Sequence, residues 1–222
     1  MFNSKDYEAF CDKGLAKEFE TIGSLNLFMQ CDSPNKKAFS ELPTEYNFRL
    51  CQPAELEIWK RIIVHEQYVD YVTEYYNKIY AKNEDEFFRH CWFVCNKDNI
   101  PVASCLLWQS YGLITTIGWY AVSPEHEGKG LGRALMSKIL TNEKFPIYLH
   151  TQPTSARAIK LYSDFGFKLI TDPIIGYRKN DVEQSLPYLQ TILPKSDFEN
   201  LQFTVANIEL HKAALTSQTS EF

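Results

Sequence analysis

The chain has 222 residues, of which 45% are hydrophobic and 23% are charged, and its formal net charge is -5 at pH 7. This length and composition are typical of a soluble globular domain with appended ends and exclude an intrinsically disordered chain. The acidic balance argues against nonspecific nucleic-acid binding, which needs a basic surface.

Membrane segments and metal sites are not expected either. The sequence has no apolar run of about 18 residues, the length that a membrane helix needs, and its first residues lack the apolar core of a signal peptide. The six cysteines form no CxxC pair and have no partner at zinc-ligand spacing. We therefore expect reduced thiols in a cytoplasmic protein, without a metal.

Hydrophobic periodicity and turn residues predict alternating helices and strands. The predicted elements are a helix over 5–20, strands at 25–29 and 48–51, helices between 53 and 80, a meander of strands at 91–95, 102–108 and 113–122, a helix from 131, a strand at 146–151, a helix over 155–165, strands at 167–170 and 174–177, and a helix over 182–193. This order predicts an α/β fold with a mixed, mostly antiparallel sheet flanked by helices.

The expected organisation is a central domain between two extensions. We assign residues 1–45 to an N-terminal extension with a helix and a strand, and residues 46–180 to the domain that carries the chemistry. Residues 181–222 form a helical C-terminal extension with a frayed end. The extensions are long enough for a homodimer contact or for covering one side of a cleft, and the sequence does not distinguish these roles.

A glycine-rich loop between a predicted strand and a predicted helix is the strongest chemical signal in the chain. Gly128, Gly130 and Gly132 alternate with other residues just before the helix. Glycine allows sharp turns and close approach of a ligand to the main chain, and a helix start presents unpaired N–H groups and partial positive charge to a phosphate. Lys129 and Arg133 add positive charge. The segment therefore predicts a cradle for a diphosphate.

Two common phosphate motifs do not fit this loop. The P-loop pattern GxxxxGK[ST] is absent, and the dinucleotide pattern GxGxxG fails in both frames because Arg133 and Leu135 stand where its last glycine belongs. A glycine loop alone is also typical of a tight strand-to-helix turn. A second pattern is therefore needed to choose between these interpretations.

That second pattern lies one strand later. Ser155, Ala158, Tyr162, Gly166 and Phe167 follow the spacing [NS]xxAxxxYxxxGF. Together with the glycine loop, which is similar to [RQ]xxGxG[GA], this order of motifs resembles the GNAT superfamily of N-acetyltransferases. The resemblance extends from about residue 48 to residue 178 and leaves both extensions outside it.

The resemblance implies an acetyl-coenzyme A-dependent N-acetyltransferase in which two central strands splay apart and admit the co-substrate. The acceptor is a primary amine of a small molecule or a peptide. One position departs from the family pattern, because Glu127 stands where Gln or Arg is usual. The residues expected to bind the co-substrate are Val122, Glu127, Gly128, Lys129, Gly130, Leu131, Gly132, Arg133 and Ser155.

The resemblance implies that Tyr162 is the general acid that protonates the departing thiolate. The general base is not identified, because the stretch 115–120 carries no carboxylate. His150, late in a predicted strand, is the candidate that we assign; His126 in the loop is less well placed, and Glu66 beside His65 has no further support. A histidine in a strand is also typical of a purely structural residue.

Other functions stay open at this point. A tyrosine-rich stripe over 68–80 predicts either core packing or, with Trp119 and Tyr120, an aromatic cleft for a cationic amine. The same scaffold is also compatible with a non-catalytic acyl-coenzyme A sensor or interaction module. A binder of nucleotide phosphates that uses the glycine loop alone is the third alternative. Acyl length and oligomeric state are not determined.

Overall fold

The computed structural model describes residues 4–222, so residues 1–3 of the predicted extension lie outside the described residues. The α-helices in chain order are α1 (Ser4–Asp12), α2 (Phe19–Gly23), α3 (Leu56–Ile63), α4 (Val69–Ile79), α5 (Glu84–His90), α6 (Leu131–Leu140), α7 (Ala156–Asp164), α8 (Val182–Ile192), α9 (Lys195–Glu199) and α10 (Ile208–Ala214). The strands are β1 (Leu27–Cys31), β2 (Asn47–Leu50), β3 (Cys91–Cys95), β4 (Pro101–Ser110), β5 (Ile114–Val122), β6 (Ile147–Thr151), β7 (Lys168–Ile170), β8 (Ile174–Ile175), β9 (Arg178–Lys179) and β10 (Phe203–Thr204).

Most predicted elements are confirmed close to their expected bounds. The helix expected over 5–20 is instead two helices, because Gly14 has a left-handed backbone (φ 73°) just after α1 and breaks the run. The strand expected over 174–177 is a hairpin of β8 and β9 that turns at Gly176 (φ 60°). Helix α5 and the elements after α8 have no counterpart in the sequence-based assignment.

The chain forms two compact units. Unit one comprises residues 38–108 and 117–143. Its strands follow the order β5-β4-β3-β2, and β3 pairs antiparallel with both β2 and β4. Helices α3 to α6 belong to the same unit, and α6 contacts β3. The glycine loop between β5 and α6 therefore lies entirely within unit one.

Aromatic side chains fill the core of unit one. The fully buried rings of Trp59 and Phe87 meet edge to face, with centroids 4.9 Å apart. Tyr76 packs on Phe87 at 5.1 Å, and Tyr80 is buried in the same cluster. Such pairs contribute about 0.5–1.5 kcal/mol each beyond the area that they bury. The inner half of the predicted tyrosine stripe is thus core.

Unit two contains the described residues 4–37, 109–116 and 144–222. Its strands follow the order β10-β7-β1-β6; β1 is antiparallel to both neighbours, and β10 is parallel to β7. Every residue of β1 is buried. The segments 1–45 and 181–222, assigned to extensions, thus both supply strands to this sheet. Pairing there buries apolar residues that would otherwise face water.

Both units confirm the expected mixed α/β class with a mostly antiparallel sheet and flanking helices. The expected splaying of two central strands stays a prediction. None of the helices from α1 to α10 in the described part of the chain has the length and apolar character needed to cross a bilayer.

The interior position of β1 predicts a large effect of truncating one of its side chains. Leu27 is fully buried, so Leu27→Ala should lower the free energy of unfolding by about 2–5 kcal/mol, measured by urea denaturation. Leu215→Ala, at a side chain that is 55% exposed in the same unit, is the matched control and should change it by less than about 1 kcal/mol. Equal effects of the two substitutions would show that β1 is a dispensable appendage.

Candidate active site

The segment that leads into the glycine loop is anchored within unit one. The main-chain N–H of Ser123 donates to the carbonyl oxygen of Val102 at 2.8 Å. A short 3-10 turn, Pro124–His126, follows, and Nδ1 of His126 is hydrogen-bonded to the Tyr46 hydroxyl at 3.1 Å. These contacts hold the loop entrance in place, and they give His126 a structural partner.

Two glycines of the loop are required by backbone conformation. Gly128 and Gly130 have φ values of 77° and 82°, in the left-handed region that other residues adopt only at a cost. A Cβ atom built on Gly130 would meet nothing within 4 Å, so space does not explain that glycine. Both residues and the intervening Lys129 are exposed. Solvent, or a ligand, has direct access to this stretch of main chain.

The glycine loop leads directly into the first turn of α6. Gly130 is the residue that precedes α6 and makes no side-chain capping bond. The first helical bond runs from the N–H of Ala134 to the carbonyl oxygen of Gly130, at 3.0 Å. Earlier N–H groups of the first turn, such as those of Leu131 and Gly132, have no acceptor within the helix. An anion bound there would satisfy them and interact favourably with the helix dipole.

The third glycine has a different cause. A Cβ atom at Gly132 would collide with the hydroxyl oxygen of Tyr120, and it would lie 3.2 Å from Cζ of that ring. Cγ2 of Val122 is the next contact, at 3.6 Å. The side chains of Tyr120 and Val122 thus reach the first turn of α6. Gly132 is needed because β5 packs closely against this helix start.

The charged residues around the loop have distinct surroundings. Nη1 of Arg133 donates to the carbonyl oxygen of Ala38 at 3.3 Å, which fixes one end of this side chain within unit one. Lys129 is exposed, and Glu127 is half-buried with extended backbone (φ -68°, ψ 152°). The extended conformation of Glu127 leads directly into the left-handed Gly128.

Strand β5 carries a backbone irregularity just before Val122. Trp119 has φ 51°, a strained value for a bulky residue, which costs about 1–3 kcal/mol and tends to mark functional sites. Its indole Nε1 donates to the Tyr80 hydroxyl at 2.8 Å, and its ring meets Tyr75 edge to face at 5.3 Å. Tyr75 and Trp119 are half-buried, whereas Tyr71 is 60% exposed. The outer half of the tyrosine stripe therefore forms an aromatic wall beside β5.

The second motif lies in unit two. Ser155 precedes α7, and Tyr162 is on the buried face of this helix with Ala156 and Ile159. The Tyr162 ring is 6% exposed and packs on Phe167, 6.0 Å between centroids. The motif thus has a packing role in addition to any chemical one.

The first turn of α7 has a carboxylate as a hydrogen-bond partner. Oδ1 of the buried Asp6 accepts the main-chain N–H of Arg157 in the first turn of α7, at 3.3 Å. A carboxylate at a helix start stabilises it through the helix dipole. A negative group from α1 thus already serves the start of α7, whereas Gly130 supplies no side chain to the start of α6.

His150 takes part in a polar cluster of unit two. Nη2 of Arg178 lies 2.7 Å from Nε2 of His150 and 2.6 Å from Oδ1 of Asn26, and Nε2 of His150 is 3.0 Å from the same Asn26 oxygen. Because a guanidinium can only donate, Nε2 is the acceptor in the contact with Arg178. Burial, followed by the positive charge of Arg178, holds the pKa of His150 well below its usual value.

These contacts bear on the expected role of His150 as a base. A neutral imidazole is required of a base at pH 7, but a proton added at Nε2 would displace the Arg178 bond and face a guanidinium. The assignment stays a prediction that the local electrostatics oppose. Sequence reasoning missed Asp6 and Arg178, because a lone acid or arginine carries no spacing signal that indicates its partner.

Potential metal ligands do not cluster in the described range 4–222, where no group of three or more His, Cys, Asp or Glu side chains is arranged to hold an ion.

Comparison with known families gives one sequence match. The family model described as "Acetyltransferase (GNAT) family" matches residues 56–167, which is half of the chain. The match includes the glycine loop, α6 and the whole of the second motif. No curated protein sequence matches this chain significantly.

Solved structures with a similar fold include three with low sequence identity. A Drosophila protein is 16% identical, with a TM-score of 0.42, over 72% of this chain and 54% of its own. The spermidine N-acetyltransferase of Vibrio cholerae, in complex with CoA and spermine, is 19% identical, with a TM-score of 0.44, over 62% and 89%. A conserved Staphylococcus epidermidis protein of unknown function is 14% identical, with a TM-score of 0.48, over 70% and 64%. This chain thus spans about half to two thirds of the first and third of these proteins.

The contact between Gly132 and Tyr120 predicts the cost of adding one methyl group. Gly132→Ala should lower the free energy of unfolding by about 1–3 kcal/mol through overpacking, measured by urea denaturation. In a Tyr120→Phe background the cost should shrink, because the colliding hydroxyl is gone and the nearest remaining ring atom is Cζ, 3.2 Å from the new Cβ. The control is Gly118→Ala in β5, the strand that carries Tyr120. A Cβ atom at Gly118 meets nothing within 4 Å, so this substitution should be tolerated.

The surroundings of His150 predict a pH dependence of stability. Its pKa is lowered in the folded state, so between that value and about 6.5 the unfolded chain binds more protons. Stability should therefore fall as the pH drops below about 6.5, by up to about 1.4 kcal/mol per pH unit from this group. Urea denaturation at pH 7.5 and 5.5 should show a smaller loss for His150→Gln than for the native chain. His65→Gln, at an exposed histidine, should keep the native loss.

Proposed function

This chain belongs to the GNAT acetyltransferase family, and we propose that it transfers an acetyl group from acetyl-CoA to a primary amine of a small molecule or a peptide. The observation that carries this proposal is the start of α6. Left-handed glycines form an exposed loop there, and Gly130 leads directly into the first turn of the helix. This arrangement suits a pyrophosphate group, which supplies several acceptor oxygens and negative charge.

The residues proposed to hold CoA fall into two groups. In unit one, the main chain from Glu127 to Arg133 receives the pyrophosphate, Lys129 adds an exposed positive charge, and Val122 offers its N–H to the acetyl carbonyl. In unit two, Ser155 lies at the start of α7 and is assigned to the pantetheine arm. The co-substrate supplies the reactive thioester, and we assign no metal to the reaction.

The chemistry requires two proton movements. The neutral amine nitrogen attacks the thioester carbon, a C–N bond forms, the C–S bond breaks, and one proton leaves the nitrogen while another reaches the sulfur. An amine with a pKa of about 10.4 costs about 4.6 kcal/mol to deprotonate at pH 7. We assign Tyr162 as the general acid that protonates the sulfur. The base is a water chain or His150, although the low pKa of His150 makes it a weak base.

The aromatic wall beside β5 supports a class of acceptor. Tyr71, Tyr75 and Trp119 present ring surface next to the strand that ends at Val122. The aromatic faces favour a cationic or aromatic amine. The thiols of the described residues are free and, apart from Cys11, buried, which is compatible with the proposed cytoplasmic setting. A homodimer is part of the proposal without a specific contact.

A non-catalytic acyl-CoA sensor on the same scaffold is the second candidate. The observation that favours it is the state of His150, whose acceptor nitrogen is engaged by Arg178. The two functions share CoA binding and differ in turnover. A thiol-release assay with acetyl-CoA and a panel of polyamines, amino acids, antibiotics and peptides separates them, because the sensor releases no thiol with any amine.

Replacing the phenol tests the proposed acid. Tyr162→Phe should reduce turnover with the best amine by about 100-fold or more, while calorimetric CoA affinity changes little, because only the proton donor is lost. Tyr177→Phe, at a tyrosine that is 61% exposed, is the matched control and should keep full turnover. Native turnover in Tyr162→Phe would remove this residue from the mechanism. Absence of CoA binding to the native chain would remove the proposed function itself.

A further inference from the structure

Residues 217–222, here called the tail segment, form neither helix nor strand and pack against unit two. Four tail residues, Ser217, Gln218, Ser220 and Phe222, line a small cavity together with six residues that we call the tail pocket: Phe28, Tyr111, Ile175, Tyr177, Arg178 and Ala214. The cavity between them measures about 20 Å³, which is room for about one water molecule. The tail segment therefore packs closely against the tail pocket.

Phe222 is recognised by an aromatic pair and a guanidinium. Its ring meets Phe28 edge to face at 5.9 Å and Tyr111 at 6.3 Å. Its main-chain oxygen accepts a hydrogen bond from Nη1 of Arg178 at 2.5 Å. The Arg178 guanidinium also lies over the Phe28 ring, 5.1 Å from its centroid. One aromatic ring and one neighbouring oxygen are thus bound together.

Glu221 adds a second point of recognition. Its Oε2 accepts the main-chain N–H of Tyr111 at 2.6 Å, and its own N–H donates to the Tyr111 hydroxyl at 3.3 Å. Tyr111 has φ 57°, a left-handed value that costs about 1–3 kcal/mol in a residue other than glycine and is typical of ligand clamps. This strained turn therefore binds both the acid and the backbone of the tail segment.

Arg178 has contacts that do not involve the tail segment. Asn26 and His150 hold Nη2 of Arg178, and neither residue belongs to the tail segment. The tail segment itself is attached through side chains and single main-chain groups, without a strand ladder. Segments of this kind open at the low end of the local stability range. A guanidinium whose acceptors depart gains from binding another anionic oxygen.

We propose that this pocket is a binding site for an aryl group with a neighbouring carboxylate or carbonyl oxygen, and that the tail segment is its intramolecular competitor. Two sources share this chemistry: a small aromatic acid and a peptide with an acidic-aromatic sequence like Glu221-Phe222. The proposal goes beyond acetyl transfer and does not depend on it. Because a tethered competitor acts at an effective concentration of about millimolar, the native chain should bind free ligands weakly.

Calorimetry on the 222-residue chain tests this with two probes, 3-phenylpropanoate and the dipeptide N-acetyl-Glu-Phe. Phe222→Ala should bind at least one probe about tenfold or more tightly than the native chain, because the competing ring is gone. Adding Arg178→Gln to Phe222→Ala should abolish most of that gain. Phe203→Ala, at a phenylalanine that is 45% exposed in the same unit, should bind like the native chain.

The two probes also identify the source of the ligand. Tighter binding of the dipeptide alone assigns the pocket to peptides, and binding of both probes assigns it to small aromatic acids as well. The proposal is overturned if a folded Phe222→Ala chain binds neither probe better than the native chain, or if Arg178→Gln leaves the gain intact. Circular dichroism of each variant separates misfolding from failure of this site. CoA titration of each variant separates failure of the proposed acetyltransferase function from failure of this site.

Discussion

The proposed CoA site depends on the exposed start of α6. The first N–H groups of any helix have no acceptor within the helix, and neither Gly130 before α6 nor Ser155 before α7 supplies a side-chain cap. Gly130 has no side chain and turns the backbone through a left-handed conformation. An anion would satisfy the first N–H groups of α6, and it could reach them because Gly128 and Lys129 are exposed.

The starts of α6 and α7 therefore differ electrostatically. Asp6 supplies a carboxylate to the first turn of α7, whereas Gly130 supplies no side chain to the start of α6. A second anion at α7 would meet a negative charge, so the structure favours α6 for a phosphate. The partner of α7 comes from the N-terminal helix, more than a hundred residues away in the sequence. An acidic chain can thus still select one position for a negatively charged group.

The positively charged side chains also differ in their surroundings. Arg178 contacts Asn26, His150 and the tail segment, and burial, followed by the charge of Arg178, lowers the pKa of His150. Arg133 reaches the carbonyl oxygen of Ala38, and Lys129 is exposed in the loop. A charged side chain is stabilised where its partners lie within hydrogen-bond distance, as for Arg178. It is accessible to a ligand where it is exposed, as for Lys129.

The sequence by itself determined the order of elements, the glycine loop and the second motif, because periodicity, turn residues and short spacings are local properties of the chain. It also correctly indicated the family and the mixed, mostly antiparallel class. Only the tertiary structure decided that β1 is an interior strand of unit two, that Gly132 is required by Tyr120, and that His150 is held by Arg178. Each of these depends on residues that are distant in sequence and adjacent in space. No local pattern encodes which side chain will meet them, because burial and pairing are settled only when the whole unit packs.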